Sequence, residues 1–295
     1  MKDFFKYITA GDEDRNWGLY LNVAGKSKIQ VKNIYPPPQH PTGYYFTWEN
    51  GRILFEYQIN YITEGAGILE TKAGRYLIKP GTLMIIRPGM WHRYRPMSNT
   101  GWTEHYIGFT GELAGRFLEN TEYLVGRTII RCDVREEFID SYYKIFNLVL
   151  QEEPGFQQIA SGMIIKLLGY IIAFEKQRYF NGKKIEKIIR NTRFLMRENL
   201  DKEIDISQLA TDNLVGYSYF RKMFKKYVGI SPHQYHLELK IMRAKELILT
   251  SEKSIKEISF ELGFQSIHYF SRIFKLKVGI NPSELRKKDS LKVLS

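Results

Sequence analysis

Residues 219–232 read YFRKMFKKYVGISP, and residues 269–282 read YFSRIFKLKVGINP. Both stretches begin with Tyr-Phe, carry a second Phe four residues after the first, and end in Val-Gly-Ile followed by one residue and Pro. A repeat of this kind indicates one structural unit that is built twice. The Phe spacing, with cations between, predicts an amphipathic helix, and the glycine predicts a left-handed C-terminal cap. The two stretches therefore predict two equivalent basic helices.

A shorter amphipathic segment precedes each of these helices. Residues 206–212 precede the first, and residues 254–262 precede the second, where Ser254 and Glu257 have the spacing of a capping box. A short helix, a tight turn and a basic second helix form a helix-turn-helix, whose second helix can enter the major groove of DNA. The last third of the chain is therefore predicted to contain two helix-turn-helix units.

One long helix is predicted between the two units. Ser231 and Gln234 flank Pro232 in the pattern of a helix N-terminus, and the helix is expected to continue to about Thr250. A helix of roughly 19 residues is about 28 Å long, at about 1.5 Å per residue. Successive major grooves on one face of DNA lie about 34 Å apart. A rod of this length can therefore place both recognition helices on one face of the duplex.

These pieces together resemble a known family. Residues 186–288 resemble the double helix-turn-helix domain of the AraC/XylS family of bacterial transcription regulators. The resemblance implies a ligand-responsive, sequence-specific DNA-binding regulator of the activator type, which works as a homodimer, reads two adjacent major grooves and has RNA polymerase as a further partner. The matching pieces are LA (209–210), YFRKMFKKYVGISPHQY (219–235), RAKELI (243–248) and ISFELGFQSIHYFSRIFKLKVGINPSELR (258–286).

The resemblance also indicates which side chains would contact DNA. Base-reading positions lie in the first turns of each recognition helix, where Arg and Lys can donate to guanine and Ser and His can contact several bases. A lysine one turn later would meet phosphate, which positions the protein without specifying sequence. Ile267 departs from the polar residue common in the family and offers only apolar contact, and Gly216 replaces the usual capping Ser. The base-reading positions are Ser218, Arg221, Lys222, Ile267, His268 and Arg272, and the phosphate positions are Lys225 and Lys275.

The positive charge of the chain is concentrated in this region. The formal net charge is +12, and residues 183–295 contain 23 Lys and Arg against 13 Asp and Glu. Residues 1–182 contain 21 against 19, which is close to balance. A localised excess of cations is the electrostatic footprint of a polyanion partner. Charge and motif together predict a DNA-binding domain at residues 183–295.

The first part of the chain has a different pattern. Between about residues 21 and 110, short segments of alternating polarity are separated by Gly and Pro, which predicts an antiparallel sandwich or barrel. Within it, KPGTLMIIRPGMWH (79–92) and HYIGFTG (105–111) resemble motifs of the cupin barrel in its AraC-family form, which implies a cupin-like barrel. We expect strands at 28–35, 53–62, 66–72, 75–81, 82–89 and 102–109, and an irregular loop at 36–43.

Helical periodicity replaces this alternation after residue 111. Two amphipathic to very apolar helices are predicted at 135–151 and 156–178, within a helical region at about 112–180, and residues 179–184 are the expected linker. In the family such helices pack against a second subunit, and DNA readers of this kind commonly work as dimers. The alternative is that these helices only cap the barrel. The most apolar run, residues 162–174, is too short to span a bilayer.

The barrel contains candidate ligand-binding side chains. Of the His-x-His pair, Glu and further His that enzymatic cupins use, only His92 is present, so we expect no metal and no cofactor. Alternate residues of a strand share a face, which groups Trp102, Glu104 and Tyr106, and likewise His92 and Tyr94. In sugar-sensing family members, pocket positions match Tyr94, Glu104 and Tyr106. Aromatic rings can stack on sugar C–H faces while Glu and His bind hydroxyls. The alternative is that these aromatics simply fill a small barrel.

These observations predict an α+β multidomain protein that is not an enzyme. Residues 1–182 would form a cupin-like domain for ligand sensing and dimerisation, and residues 183–295 an all-α DNA-binding domain. The expected effector is a small molecule, with a sugar or polyol favoured. The single cysteine, Cys132, fits a reducing cytoplasm, and the acid-rich start lacks the apolar core of a secretory signal. The alternative is a cupin-fold sugar-binding module or enzyme with an incidental basic domain, against which the localised charge and paired helices argue.

Overall fold

Two compact units make up the chain, Met1–Lys176 and Gln177–Ser295. The computed structural model describes residues 3–33, 35–36, 44–202 and 204–293. In these residues the first unit combines antiparallel sheets with helices, whereas the second is built from helices alone. The predicted α+β class is therefore confirmed. The loop expected at 36–43 lies, apart from Pro36, outside the described residues.

Strands of the first unit form two antiparallel sheets. They are β1 (Phe4–Tyr7), β2 (Tyr20–Ile29), β3 (Tyr57–Gly65), β4 (Gly67–Thr71), β5 (Gly74–Ile78), β6 (Thr82–Ile86), β7 (His92–Pro96), β8 (Trp102–Thr110) and β9 (Ile129–Arg131). The larger sheet has the order β1-β2-β8-β3-β6-β9, and the smaller has the order β5-β4-β7. An apolar core that includes Met84, Tyr94 and Trp102 joins residues of both sheets. This is the cupin-like arrangement of antiparallel strands that was predicted.

Several strand boundaries differ from the prediction, and two strands were not predicted: β3 begins at Tyr57 and not at 53, and β6 ends at Ile86 and not at 89. The strand expected at 28–35 is wrong beyond Ile29, because the chain turns there and Asn33 donates its backbone N–H to the carbonyl of Gln30. β1 and β9 lie outside the expected barrel range of 21–110. They join the larger sheet by pairing with β2 and β6, which are far from them in sequence. Pairing over such distances leaves no local signal in a sequence.

Helices cover one face of the larger sheet. α1 (Asp12–Asn16) precedes β2, whereas α2 (Glu112–Glu119), α3 (Glu136–Gln151) and α4 (Phe156–Phe180) follow β8. The two long helices confirm those predicted at 135–151 and 156–178. Odd-numbered residues of β8, such as Ile107 and Phe109, share a core with α3 and α4, whereas even-numbered residues face the other way. One strand therefore serves two apolar interiors.

The longest helix, α4, is apolar enough by length and composition to cross a membrane. One face of it nevertheless packs on the larger sheet, where Ala160, Ile164, Leu167 and Ile171 are buried. The core helix of a soluble protein passes the same composition test. This packing accounts for the apolar character of that face, whereas the prediction that the apolar segment is too short to span a bilayer is not confirmed.

Seven helices form the described part of the second unit: α5 (Lys184–Glu198), α6 (Ile206–Asp212), α7 (Tyr217–Val228), α8 (Pro232–Thr250), α9 (Ile255–Glu261), α10 (Ile267–Val278) and α11 (Pro282–Val293). α6 and α7 form the first helix-turn-helix, α9 and α10 form the second, and α8 connects them, as predicted. Each unit has its own core. Phe220 and Phe224 are buried in the first, and Phe270 and Phe274 in the second.

The ends of the recognition helices repeat, but their starts do not. Gly229 (φ 100°) and Gly279 (φ 89°) adopt the left-handed conformation and donate their backbone N–H to the carbonyl four residues earlier. At the other end, Ser266 Oγ accepts from the backbone N–H of Tyr269, whereas Gly216 has no side chain that could do so. α7 therefore begins without the side-chain cap that α10 has.

The connection between α4 and α5 is shorter than the expected linker at 179–184. α4 continues to Phe180, whose ring centroid lies 5.0 Å from that of Tyr227, and Phe180 is buried in the first helix-turn-helix core. Only residues 181–183 lie between the two helices. Because Phe180 belongs to this core, the chain divides after Lys176, before the predicted boundary at residue 182.

Candidate ligand cavity and nucleic-acid interface

A cavity of about 200 Å³ opens in the interior of the first unit. Strands of both sheets contribute to its wall, so its shape depends on their packing. Half of the lining residues are aromatic, and the others include two cations, an amide and two carboxyl groups. The aromatic ones are Phe4, Phe5, Tyr7, Tyr35, Tyr44, Tyr94 and Tyr106, and the polar ones include Lys26, Arg52, Gln58 and Glu104.

Arg52 contributes a buried guanidinium to this wall. A β-bridge pairs Arg52 with His92, which brings their side chains together, and Arg52 Nε donates to His92 Nε2 at 3.1 Å. The terminal nitrogens donate to the Tyr44 carbonyl at 2.5 Å and to the Tyr94 hydroxyl at 2.7 Å. Its carbon Cζ also lies 5.0 Å from the centre of the Phe46 ring. Arg52 was not among the residues predicted from the sequence, because a single Arg beside a turn has no periodic pattern.

His92 supports Arg52 and does not line the cavity. Burial, reinforced by the positive charge of Arg52, lowers the pKa of His92 to about 3, so the ring is neutral near pH 7. Because Nε2 accepts from Arg52, Nδ1 carries the proton and donates to the Met90 carbonyl at 2.9 Å. His92 is therefore occupied on both nitrogens. Within the described residues, no three His, Cys, Asp or Glu side chains converge as metal ligands.

Glu104 is a fully buried carboxyl group in the same wall. The register of β3 and β8 places Asn60 beside it, and Asn60 Nδ2 donates to Glu104 Oε1 at 2.6 Å. Burial raises the pKa of Glu104 to about 7, although the Asn60 hydrogen bond and the Arg52 charge both lower it. Near neutral pH this carboxyl is therefore partly protonated, so it can donate as well as accept a hydrogen bond.

The position of Tyr106 depends on a glycine. Gly25 on β2 is paired with Tyr106 on β8, and a Cβ atom at residue 25 would lie 2.5 Å from the Tyr106 hydroxyl. The ring can therefore cover β2 only because no side chain occupies that point. Burial and the neighbouring Glu104 raise the pKa of Tyr106. The hydroxyl consequently stays protonated and can donate to a ligand.

The five ligand-binding residues predicted from the sequence fall into two groups. Tyr94, Glu104 and Tyr106 line the cavity. Trp102 lies behind Tyr94, with ring centroids 5.8 Å apart, and His92 lies behind Arg52. Their roles in ligand binding stay predictions. The cavity also takes Phe4, Phe5 and Tyr7 from β1, and Tyr35, Tyr44 and Gln58, none of which the sequence analysis selected.

The recognition helices α7 and α10 expose the side chains that were predicted to contact DNA. Ile267 is half-buried, which leaves part of its side chain accessible. Two further residues at equivalent repeat positions, Tyr219 and Tyr269, are 48% and 45% exposed, and recurrence without burial is the signal that could have found them. The exposed predicted residues are Ser218, Arg221, Lys222, Lys225, His268, Arg272 and Lys275.

The five cations predicted to contact DNA have no carboxylate partner among the described residues. Among the described residues, no carboxylate oxygen lies within 4.0 Å of the side-chain nitrogens of the five predicted DNA-contacting cations, namely Arg221, Lys222, Lys225, Arg272 and Lys275. By contrast, Lys277 near the end of α10 pairs with Glu238 of α8. Exposed cations without partners provide the positive surface that a polyanion needs.

Comparison with known proteins finds a similar domain in each of the two units of the chain. The AraC-like ligand binding domain matches residues 32–170, and a helix-turn-helix domain matches residues 209–288. The lactose operon transcription activator of Staphylococcus xylosus is 21% identical over 235 residues, which cover 77% of this chain and 82% of that protein. The MmsAB operon regulatory protein of Pseudomonas aeruginosa is 23% identical over 79% of this chain and 76% of that protein. The arabinose operon regulatory protein of Escherichia coli is 24% identical over 78% of this chain and 80% of that protein.

Replacing Glu104 by Gln tests the electrostatics of the cavity. The folded-state pKa of about 7 exceeds the ordinary value of 4.5. The folded chain therefore holds the proton more tightly, and the carboxyl lowers stability as pH rises through this window. We expect Glu104→Gln to stabilise the first unit at pH 8 by at most about 3 kcal/mol, and to have little effect at pH 4.

Unfolding can be followed by tryptophan fluorescence, because all four tryptophans, Trp17, Trp48, Trp91 and Trp102, lie in the first unit. The matched control is Glu64→Gln. Glu64 is exposed and bonded to Lys28, which lowers its pKa, so its loss should slightly destabilise at pH 8. If both variants changed the free energy of unfolding equally and independently of pH, the raised pKa of Glu104 would be contradicted.

Proposed function

This chain belongs to the AraC/XylS family of transcription regulators, and from that premise we propose that it activates transcription in response to a sugar or polyol bound in its cavity. An AraC-like ligand binding domain followed by a helix-turn-helix domain makes it a ligand-responsive DNA-binding regulator and not an enzyme. The sugar, the activating sign, the homodimer, a contact with RNA polymerase and a cytoplasmic location belong to the proposal.

The aromatic wall of the cavity is the observation that carries the sugar proposal. Rings of Tyr94 and Tyr106 offer faces for C–H groups, while Arg52, Gln58 and Glu104 offer hydrogen bonds to hydroxyls. The volume of about 200 Å³ is below the roughly 300–1,000 Å³ of sites for drug-sized ligands, which favours a small effector. Two of the three relatives described above are named for sugar operons, and the third is not.

A homodimer is proposed through the exposed face of α4. Ile159 and Ile165 are exposed there, with Gly162 and Gly169 on the same side of the helix. Outside the backbone of the helix itself, no atom of the described residues would lie within 4 Å of a Cβ atom at either glycine. Small residues on an apolar helix face allow a second helix to approach closely, and a second copy of α4 would fit this face.

The dimer proposal can be tested by charge insertion. Ile165→Glu should convert the full-length protein from dimer to monomer in sedimentation experiments, because a carboxylate would be buried at the contact. Leu77→Glu is the control, since Leu77 is similarly exposed but lies on β5 of the smaller sheet. A dimer that persists in Ile165→Glu would favour the alternative that the long helices only cover the sheet.

The DNA-contacting residues can be separated by the type of contact. Arg221→Ala should cost about 1–3 kcal/mol on the preferred site and relax the preference at one base pair, as loss of a base contact does. Lys225→Ala should instead weaken binding to all sequences and reduce the salt dependence. Arg243→Ala is the charge-matched control, because Arg243 lies on α8 and pairs with Glu246. An equal loss on preferred and random DNA would remove Arg221 from the base-reading set.

The cavity can be tested through its effect on regulation. Tyr106→Ala removes a ring from the wall and should abolish or blunt the response of a reporter gene to the effector. DNA binding without effector should change little, because α7 and α10 are untouched. Tyr45→Ala, an exposed tyrosine outside the cavity lining, is the control.

Calorimetric titrations with arabinose, lactose and other simple sugars identify the effector. A wild-type response in Tyr106→Ala would place the effector elsewhere.

A further inference from the structure

The guanidinium of Arg52 is buried without an anionic partner. Arg52 is 9% exposed, and its three hydrogen bonds go to neutral groups: the His92 ring, the Tyr44 carbonyl and the Tyr94 hydroxyl. Among the described residues, no carboxylate oxygen lies within 4.0 Å of its nitrogens. A buried cation is costly unless a counter-charge is close. Within the described part of the chain, the cavity wall therefore contains a buried positive charge that no carboxylate contacts directly.

Arg52 also retains hydrogen-bonding capacity. A guanidinium has five N–H groups, one on Nε and two on each terminal nitrogen. The three hydrogen bonds use the Nε–H and one N–H on each terminal nitrogen, so each terminal nitrogen has one N–H that no described residue accepts. Two N–H donors on one planar cation match the two oxygens of a carboxylate. Arg52 lines the cavity, so a ligand held there can reach it.

The two buried carboxyl groups nearby do not neutralise Arg52 directly. Glu56 accepts from the Tyr44 hydroxyl and from Gln58 Nε2, each at 2.9 Å, and does not line the cavity. Glu104 is bonded to Asn60, and its raised pKa leaves it partly neutral near pH 7. Burial raises the pKa of the lining tyrosines and lowers that of His92, so these side chains are uncharged near pH 7; the tyrosines are Tyr7, Tyr35, Tyr44, Tyr94 and Tyr106. The lining also has one further acid and one further base, of which Asp3 accepts from the backbone N–H of Lys28 and Lys26 donates to the Tyr143 hydroxyl. Among the described residues, the charge of Arg52 therefore has no carboxylate bonded to it.

We propose that the effector is an acidic sugar, a uronic or aldonic acid whose carboxylate accepts from the two free N–H groups of Arg52 while its hydroxylated carbons face the tyrosines. This inference rests on the sugar-sensing function proposed above and narrows its ligand class. Glu104 in its protonated form donates to the ligand. The guanidinium, not the tyrosines, then selects for the acid over the neutral sugar.

Binding of an anion has a consequence for Glu104 that binding of a neutral sugar lacks. A carboxylate held by Arg52 disfavours the charged form of Glu104, so Glu104 takes up a proton when the ligand binds. Above pH 7, part of the Glu104 population is ionised before binding, and that part must be protonated. An acidic ligand should therefore bind with net proton uptake near pH 7.5, whereas a neutral sugar should bind with none.

The deciding experiment compares matched ligands on the wild-type full-length protein. Isothermal titration calorimetry is run with galacturonate against galactose, glucuronate against glucose, and gluconate against glucitol. We expect at least one acid to bind on the order of 10- to 100-fold more tightly than its neutral partner, the gain of a hydrogen-bonded charge pair. Repeating the titration in buffers of different ionisation enthalpy measures the protons taken up.

Variants assign the selectivity to named side chains. Arg52→Lys keeps the charge without the forked donors, and Arg52→Gln removes the charge; both should bring the ratio of acid to neutral affinity towards one. Because the ratio compares two ligands on the same variant, a loss of affinity that affects both ligands equally does not change it. Arg95→Gln, on an exposed arginine that stacks on Trp48, is the control and should keep the ratio. Glu104→Gln should abolish proton uptake, because the titrating group is gone.

The outcomes separate this inference from the proposed function. If a neutral sugar binds and its acid does not, the acidic-ligand inference is wrong and sugar sensing stands. Acids that bind without proton uptake, and equally well to Arg52→Gln, would also overturn it, even if that variant is less stable. If no member of either ligand set binds, both the inference and the proposed sugar sensing fail. If Arg52→Gln does not fold, the comparison of acidic and neutral sugars on the wild-type protein still tests the inference.

Discussion

The alternation of side chains along β8 is the constraint on which the first unit depends. β8 is bonded to β2 on one side and β3 on the other, so its register fixes both neighbours. Its even-numbered residues, Glu104 and Tyr106, reach the cavity, whereas Ile107 and Phe109 pack against the long helices. A slip of one residue would exchange these faces and place a carboxyl among the helices. The same strand therefore connects the ligand wall to the helices proposed as the dimer contact.

The sequence predicted the helical unit more closely than the sheets, for a physical reason. The predicted helices at 206–212 and 232–250 coincide with α6 and α8, because capping residues and periodicity are local properties. Phe180 shows the limit of that reasoning, since nothing in its neighbourhood indicates that it packs against Tyr227. β1 and β9 were missed for the same reason: each is defined by a partner far along the chain.

The cavity was predicted in part, and the division follows strand position. Tyr94, Glu104 and Tyr106 lie on regular strands, where a period of two indicates the inward face, and they line the cavity. Arg52 lies outside the named strands and reaches the wall through a single β-bridge to His92. That bridge also places His92, which the sequence suggested as a ligand contact, against Arg52. A residue placed by one long-range bridge has no signature that a periodic pattern could reveal.

Two buried titratable groups at the cavity oppose folding of the first unit in complementary pH ranges. His92 opposes folding below its ordinary pKa of 6.5, because burial excludes its charged form, whereas Glu104 opposes folding above its ordinary pKa of 4.5. The two windows overlap between those values, so no pH relieves both penalties. The acceptor Asn60 Oδ1 is buried, and no described residue donates to it, which adds a further cost. A ligand that forms hydrogen bonds with such groups offsets part of the cost of burying them, and it stabilises the ligand-bound form by the same free energy. A regulator can use this free energy to shift the equilibrium between two states. The buried polar groups of the cavity wall are therefore a source of free energy that ligand binding can use to shift the regulator between two states.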